Sequence, residues 1–270
     1  MKIYNIIFLF SAFLLVLSCE KVIEIDLNEA NAKPVIEANI EANNYCQAKL
    51  TWTSNFYDNS KSPAIENAIL TLTDNKGNSE VLQHDGEGFY TGSALKGRAE
   101  RTYTLTAQIE GETYTASSYM PPVVPLDSIS FVPLEGGFGP PPKPGDPKQY
   151  LTFAHLTDPV ETVNYYRLNY FNRLPEPSAG FNTLDDGLTN GNPMQVFTRF
   201  PGFDEGDTIR MELLSIDEGV HTYFESLDEA LSSGGISSAT PFNPISNFEG
   251  DVLGYFGAWS KSSMTLILPK

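Results

Sequence analysis

The amino-acid sequence predicts a mainly β protein, with an N-terminal Ig-like or transthyretin-like β-sandwich followed by a second β-rich domain that carries one amphipathic helix. Three observations predict this fold class. Apolar residues alternate with polar ones in many short stretches, turn-forming residues separate those stretches, and one segment instead repeats its apolar residues at helical spacing. The chain has 270 residues, enough for one large or two modest domains.

The first residues are typical of a lipoprotein signal peptide. Lys2 supplies a positive charge, and residues 6–17 form an apolar run that is too short to span a bilayer comfortably. Ser18 precedes Cys19, which resembles the sites where a signal peptide is removed and the cysteine is acylated with fatty acids such as palmitate. We therefore predict a signal peptide over residues 1–18 and a lipid anchor on Cys19. The alternatives are an ordinary signal peptide and an N-terminal anchor helix.

The composition of the mature chain excludes some partners. Without residues 1–18, the chain has 16 Lys and Arg against 34 Asp and Glu, a net charge of −18. Such an acidic chain repels phosphate backbones, so no nucleic-acid partner is expected. Cys46 is the only cysteine besides Cys19, so no intramolecular disulfide is available once Cys19 is acylated.

Residues 19–33 are expected to be a tether, and the β-sandwich follows over residues 34–124. Within the sandwich, residues 35–42 and 46–53 alternate apolar with polar side chains, the pattern of half-buried antiparallel strands. Cys46 falls on the apolar face, which predicts a buried and unreactive thiol. Further alternating stretches are separated by turn residues and give six or seven short strands in all.

A proline-rich connection predicts a domain boundary near residue 124. The second domain, residues 125–270, contains further alternating stretches and two loop-like segments rich in Gly and Pro, at 135–149 and 175–193. Binding residues concentrate on loops held by rigid scaffolds, so these two segments are the predicted contact regions.

One helix is predicted near residues 218–233. Ser215 and Glu218 resemble a capping box at its start, and two glycines follow its end. The apolar face is expected to pack on the sheet of the second domain, near Tyr255 and Phe256. The side chains at helical spacing are Val220, Tyr223, Phe224, Leu227 and Leu231.

The sequence shows no catalytic motif. The three histidines, His84, His155 and His221, fall in separate elements without metal-binding spacing, and neither a nucleophile elbow nor a CxxC pair occurs. Two acidic turns, at 185–187 and 204–207, have oxygen atoms suited to calcium but lack EF-hand spacing, and we expect them to be solvated. We therefore predict no enzymatic activity, no catalytic residues, no cofactor and no metal site.

The aromatic residues of the stretch 164–172 permit two interpretations. Tyr165, Tyr166, Tyr170 and Phe171 can line a sugar or peptide site, because flat rings stack on ligands. The other interpretation is core packing between the sheet and the helix. Side chains that are apolar or aromatic on both faces indicate that the strand is central in its sheet.

Four short segments, two near the start of the mature chain and two near its end, resemble a known family. Residues 19–27 (CEKVIEIDL) and 34–38 (PVIEA) resemble the start, and residues 243–250 (NPISNFEG) and 253–258 (LGYFGA) the end, of the uncharacterised Bacteroidota-type outer-membrane lipoproteins catalogued as domain of unknown function four-two-four-nine. Members are commonly encoded beside TonB-dependent outer-membrane receptors. The resemblance therefore implies a lipid-anchored outer-membrane protein, at the cell surface, with a TonB-dependent transporter as partner. It implies no catalytic residues.

Three functions remain open from the sequence. The preferred one is a non-enzymatic accessory or binding partner of the transporter in nutrient uptake. The first alternative is a hydrolase acting on surface polymers, which requires clustered carboxylates in a cleft. The second is a structural adhesin or assembly factor, for which flat exposed patches are expected.

Overall fold

The computed structural model describes residues 31–54, 61–134, 148–172, 182–187, 189–198, 202–232 and 242–270. Ala32–Lys270 form one compact unit. The predicted signal peptide, the lipidation site Cys19 and most of the tether lie outside the described residues. The elements are, in chain order, β1 (Pro34–Glu41), β2 (Tyr45–Trp52), β3 (Ile69–Asp74), β4 (Ser79–Val81), β5 (Gln83–Gly86), β6 (Phe89–Lys96), β7 (Arg101–Ile109), β8 (Glu112–Met120), β9 (Leu126–Pro133), β10 (Gln149–Thr157), β11 (Tyr165–Asn172), β12 (Asn182–Asp185), β13 (Pro193–Phe197), β14 (Phe203–Asp204), β15 (Thr208–Ile216), α1 (Glu218–Ser232), β16 (Phe248–Glu249) and β17 (Leu253–Ile267).

The described strands form three sheets. An eight-stranded sheet has the order β12-β11-β15-β17-β1-β2-β6-β5, and a five-stranded sheet has the order β16-β8-β7-β3-β4. In the third sheet, β10 pairs with β13, β14 and β9. The paired strands are antiparallel except for β1 and β17, which are parallel. This architecture confirms the predicted fold class, a β-sandwich-rich protein, with one helix among the described residues.

The sandwich core lies between the eight-stranded and five-stranded sheets. Alternation in β1 and β2 turns Ile36 and Leu50 into this core, where Leu72 and Leu105 of the opposite sheet are also fully buried. Burying each such side chain stabilises the fold by about 1.5–3 kcal/mol relative to leaving it exposed. The period-two pattern of the sequence therefore predicted the inward face of these strands correctly.

Cys46 lies in this core, as its strand parity predicted. Its side chain is fully buried, whereas its neighbours Tyr45 and Gln47 are exposed. Burial raises the pKa of the Cys46 thiol, and the nearby Glu80 carboxylate raises it further. Both effects keep the thiol protonated, and burial also shields it from reagents.

We expect Cys46 in the native protein to react with a thiol reagent at least about a hundredfold more slowly than in denaturant, because reaction requires opening of the sandwich. The measurement is the time course of labelling at pH 8, with and without guanidinium chloride. Equal rates in the two conditions would contradict the burial of this side chain.

β17 connects the two halves of the eight-stranded sheet. Residues 253–259 pair with β1, and residues 260–267 pair with β15. One sheet therefore contains strands from both sides of residue 124, and residue 124 itself falls between β8 and β9. The domain boundary near residue 124 stays a prediction.

A second core lies among β9, β10, β11 and β15. It buries Tyr166 and Leu168 of β11, together with Met211 of β15. β11 pairs with β12 on one side and with β15 on the other, so the expected central position of the stretch 164–172 is correct.

Candidate functional site

An open cleft lies between the helix and the ends of two sheets. It has a volume of about 480 Å³ and is formed by β12, β13 and the C-terminal half of α1. β12 is the last strand of the eight-stranded sheet, and β13 the last strand of the third sheet. The lining residues are Asn182, Thr183, Leu184, Gln195, Val196, Phe197, Glu225, Asp228 and Glu229.

The helix that forms one wall starts at a half-buried cap, Asp217. The Asp217 carboxylate accepts hydrogen bonds from the backbone N–H groups of Val220 (2.9 Å) and Tyr119 (2.8 Å), which links the helix start to β8. Burial raises the pKa of Asp217, although these hydrogen bonds and one from Ser118 oppose the shift. The predicted cap at Ser215 is wrong, because Ser215 lies in β15 and its hydroxyl accepts a hydrogen bond from Val124 N–H (3.2 Å).

The inner face of α1 packs on β11 and β17. Val220, Tyr223 and Phe224 are buried there, and the rings of Tyr223 and Tyr255 lie 4.7 Å apart. The prediction is wrong for Leu231, which is 65% exposed in the last turn. Leu227 is half-buried against the same cluster as expected.

One of the two residues expected beside the helix, Phe256, lies elsewhere. Phe256 is buried in the sandwich core on the opposite face of β17, because adjacent residues of a strand point to opposite faces. Arg167 reaches the helix instead, and its guanidinium lies 3.8 Å from the centre of the Phe224 ring. Burial lowers the pKa of Arg167.

The cleft side of α1 carries three carboxylates. Glu225, Asp228 and Glu229 are spaced i, i+3 and i+4, so they lie on one face of the helix. The Glu225 side chain is 59% exposed, and one of its oxygens lies 3.9 Å from His221 Nδ1. The sequence reasoning missed this cluster because it considered the apolar face of the helix and not the charges on the opposite face.

The two predicted contact loops are only partly described. Residues 135–147 and 173–181 lie outside the described residues. Within the second segment, residues 182–185 form β12 and not a loop, because they pair with β11 from Tyr165↔Asp185 to Leu168↔Asn182. The Nδ2 group of Asn182 is buried and has no hydrogen-bond partner among the described residues.

The two acidic turns are ordered by the protein itself. The Asp186 carboxylate accepts a hydrogen bond from Asn164 N–H at 2.8 Å. Asp207 accepts one from Asn172 Nδ2 at 2.9 Å. Asp186 and Asp207 are each only 2% exposed, so the expectation that these turns are solvated is wrong for both residues. In the described ranges, no group of three or more His, Cys, Asp or Glu residues is placed to hold a metal ion.

The aromatic side chains of β11 mainly pack against other side chains of the protein. Tyr166 and Tyr170 are buried in the second core. The ring of Tyr165 lies 5.0 Å from that of His221 beneath the helix. Phe171 packs under the Arg210 guanidinium at 4.3 Å. These contacts favour the core interpretation of the stretch 164–172 over a ligand site.

The histidines are distributed as the sequence indicated. His155 Nε2 is hydrogen-bonded to the Ser130 hydroxyl at 2.7 Å, across the pair β9–β10. His84 is exposed in β5, and its ring lies 4.9 Å from that of Tyr90. His221 is buried in α1. The structure therefore brings none of these three residues together.

The fold and the cleft define a mainly β protein of several sheets, in which helix α1 lines an acidic cleft. The chain belongs to the family described as Domain of unknown function (DUF4249), which matches residues 20–265. The predicted resemblance to domain of unknown function four-two-four-nine is thereby confirmed. The comparison with curated proteins found no match.

Two solved structures are similar at low identity. A two fibronectin type-III domain segment from chicken tenascin is 14% identical, covers 88% of this chain and 99% of its own, and has a TM-score of 0.24. A DUF4785 family protein from Legionella pneumophila subsp. pneumophila str. Philadelphia 1 is 12% identical, covers 67% of this chain and 52% of its own, and has a TM-score of 0.25. These TM-scores are too low for either structure to indicate a fold or a function for this chain.

Proposed function

We propose that the chain is a lipid-anchored protein of the outer membrane, exposed at the cell surface, that acts as a non-enzymatic binding partner of a TonB-dependent transporter in nutrient uptake. The observation that carries the binding role is the cleft of about 480 Å³ between α1, β12 and β13. Its volume falls in the range of about 300–1,000 Å³ that is usual for binding sites.

The anchor is supported by the sequence before Cys19. The positive charge of Lys2, the short apolar run and the small residue Ser18 together favour acylation at Cys19. Among the helices of the described ranges, none is both long and apolar enough to cross a membrane. The transporter partnership is supported by the family resemblance, because members of the family are commonly encoded beside TonB-dependent receptors.

The partnership is tested by affinity purification of the full-length protein from solubilised outer membranes, followed by mass spectrometry. We expect a TonB-dependent transporter to co-elute in stoichiometric amount. An unrelated lipoprotein carrying the same affinity tag is the control. Recovery of a surface polymer or an extracellular protein in place of a transporter would favour the adhesin alternative and contradict the proposal.

Cys19→Ala is expected to move the protein from the membrane fraction to the soluble fraction, since it removes the acyl chains that anchor the mature chain. The measurement is immunoblotting of fractions after a high-salt wash. The matched control is Cys46→Ala, which removes the other cysteine and should leave the protein with membranes. Persistence of Cys19→Ala in the membrane pellet would refute the anchor.

A hydrolase is the second candidate, because Glu225, Asp228 and Glu229 place three carboxylates at one cleft. Carboxylate pairs in clefts are the groups that cleave glycosidic bonds. Turnover of a surface polysaccharide by the wild type, lost at least about a hundredfold in Glu225→Gln or Glu229→Gln, would establish this candidate in place of the binding role.

A further inference from the structure

We propose that the cleft binds an extended segment of a partner protein that carries arginine or lysine and that adds as a strand to the free edge of β13. This inference rests on the proposed function, because it describes how a partner is held. No described strand pairs with the outer edge of β13. Free strand edges are templates for strand addition.

The register of β13 directs backbone groups into the cleft. Thr198 N–H donates to Thr152 C=O at 3.1 Å, which continues the antiparallel register Phe153↔Phe197 and Ala154↔Val196 by one residue. Hydrogen-bonded and non-hydrogen-bonded pairs alternate along such a ladder, so the N–H and C=O groups of Gln195 and Phe197 point away from β10. Both residues line the cleft.

The opposite wall selects a positive charge. Glu225 and Glu229 are one turn apart on α1, and Glu229 lies in the last turn, where the helix dipole is negative. Like charges at this spacing and acidic groups at this end of a helix both destabilise it locally. A cationic side chain between them removes both costs, so the wall is complementary to arginine or lysine.

Phe197 supplies an apolar contact for the cationic side chain of the partner. Phe197 is 56% exposed at the cleft. Among the described residues, Arg167 stacks on Phe224 and Arg210 stacks on Phe171. An arginine of the partner can stack on Phe197 in the same way.

The test uses the full-length protein in detergent and a fluorescein-labelled peptide of about ten residues with alternating arginine and threonine, a sequence that favours extended backbone. We expect a Kd of about 10 µM at low salt by fluorescence anisotropy. A peptide of alternating glutamate and threonine should bind at least about tenfold more weakly. The arginine peptide N-methylated at alternate residues should also lose about tenfold, because it cannot pair with a strand edge.

The variant Glu225→Gln/Glu229→Gln should weaken binding of the arginine peptide about tenfold, and Phe197→Ser should weaken it to a similar extent. The matched control is Glu110→Gln/Glu112→Gln, which removes the same charge from two exposed positions, one in the turn after β7 and one at the start of β8. The control should change the Kd less than about twofold. An equal loss in the control, equal binding of the N-methylated peptide, or no binding of the arginine peptide overturns the proposal.

The failure of this inference is distinguishable from the failure of the proposed function. If the transporter co-purifies equally with the wild type and with Glu225→Gln/Glu229→Gln, the cleft is not the contact and the inference is overturned, while the transporter partnership stands. If the arginine peptide binds as expected but no transporter co-purifies, the cleft inference is supported and the transporter partnership fails.

Discussion

Gly254→Ala is expected to lower the free energy of unfolding by at least about 4 kcal/mol, which places it among the most destabilising single substitutions. Gly254 has φ of +97°, and a Cβ atom at this position would lie 2.0 Å from the carbonyl oxygen of Ile36. The contact is with backbone of β1, the strand that pairs with β17 in parallel. Neither strand can move away without breaking the sheet that joins them.

The control for Gly254→Ala is Gly77→Ala. Gly77 also has a positive φ, +85°, but a Cβ atom there would meet nothing within 4 Å. The substitution of Gly77 should therefore lower the free energy of unfolding only by the backbone strain, about 1–2 kcal/mol. The measurement is urea unfolding followed by tryptophan fluorescence, together with the yield of folded protein. Equal stability of the two variants would contradict the close approach of β1 and β17.

Asp74→Asn is expected to destabilise the protein by about 2–4 kcal/mol at pH 7. The Asp74 side chain is fully buried and pairs with Arg101. It also accepts hydrogen bonds from the backbone N–H groups of Lys76 (3.0 Å) and Asn78 (2.9 Å), which close the turn between β3 and β4. An amide in its place removes the charge and turns one acceptor into a donor.

This effect should disappear in acid. Burial by itself would raise the pKa of Asp74, but hydrogen bonds from Asn78, Lys76 and Arg101 outweigh it and hold the pKa below its usual value. A carboxyl group with a lowered folded pKa stabilises the fold above its unfolded pKa, about 4, and this stabilisation is lost as the pH falls through the folded pKa. The stabilities of the wild type and Asp74→Asn should therefore converge below pH of about 4.

The matched control for Asp74→Asn is Asp85→Asn, which removes one negative charge from an exposed position in β5. Its cost should stay within about 0.5 kcal/mol between pH 3 and pH 7. The measurement is the urea midpoint of each variant across this pH range. A constant difference between the wild type and Asp74→Asn at every pH would show that the ionised carboxylate is not what stabilises the turn.

Local pattern was enough to predict much of the fold. The alternation around Cys46 identified the inward face of β2, because the side chains of a strand alternate between core and solvent. The Asp, Asn and Gly residues at 74–78 are typical of a turn, and Asp74 closes that turn by accepting hydrogen bonds from its backbone. Helical spacing located α1, whose described residues are Glu218–Ser232.

Predictions failed where contacts distant in sequence decide the outcome. Asp217 caps α1 although Ser215 fits the local motif, because β15 continues through Ser215 to Ile216. Leu231 follows the apolar spacing but is exposed, since it lies in the last turn of α1, beyond the side chains that pack on the sheet. Residues 182–185 resemble a loop, yet β11 provides a partner strand for them.

The sequence by itself determined the mainly β class, the inward faces of the sandwich strands, the position of the helix and the acidic charge, because each depends on residue type and short-range period. Only the tertiary structure decided the parallel pairing of β1 with β17 and the cleft between β12, β13 and α1. These features join segments far apart in the chain, and strand pairing between such segments depends on backbone hydrogen bonds that any residue except proline can make.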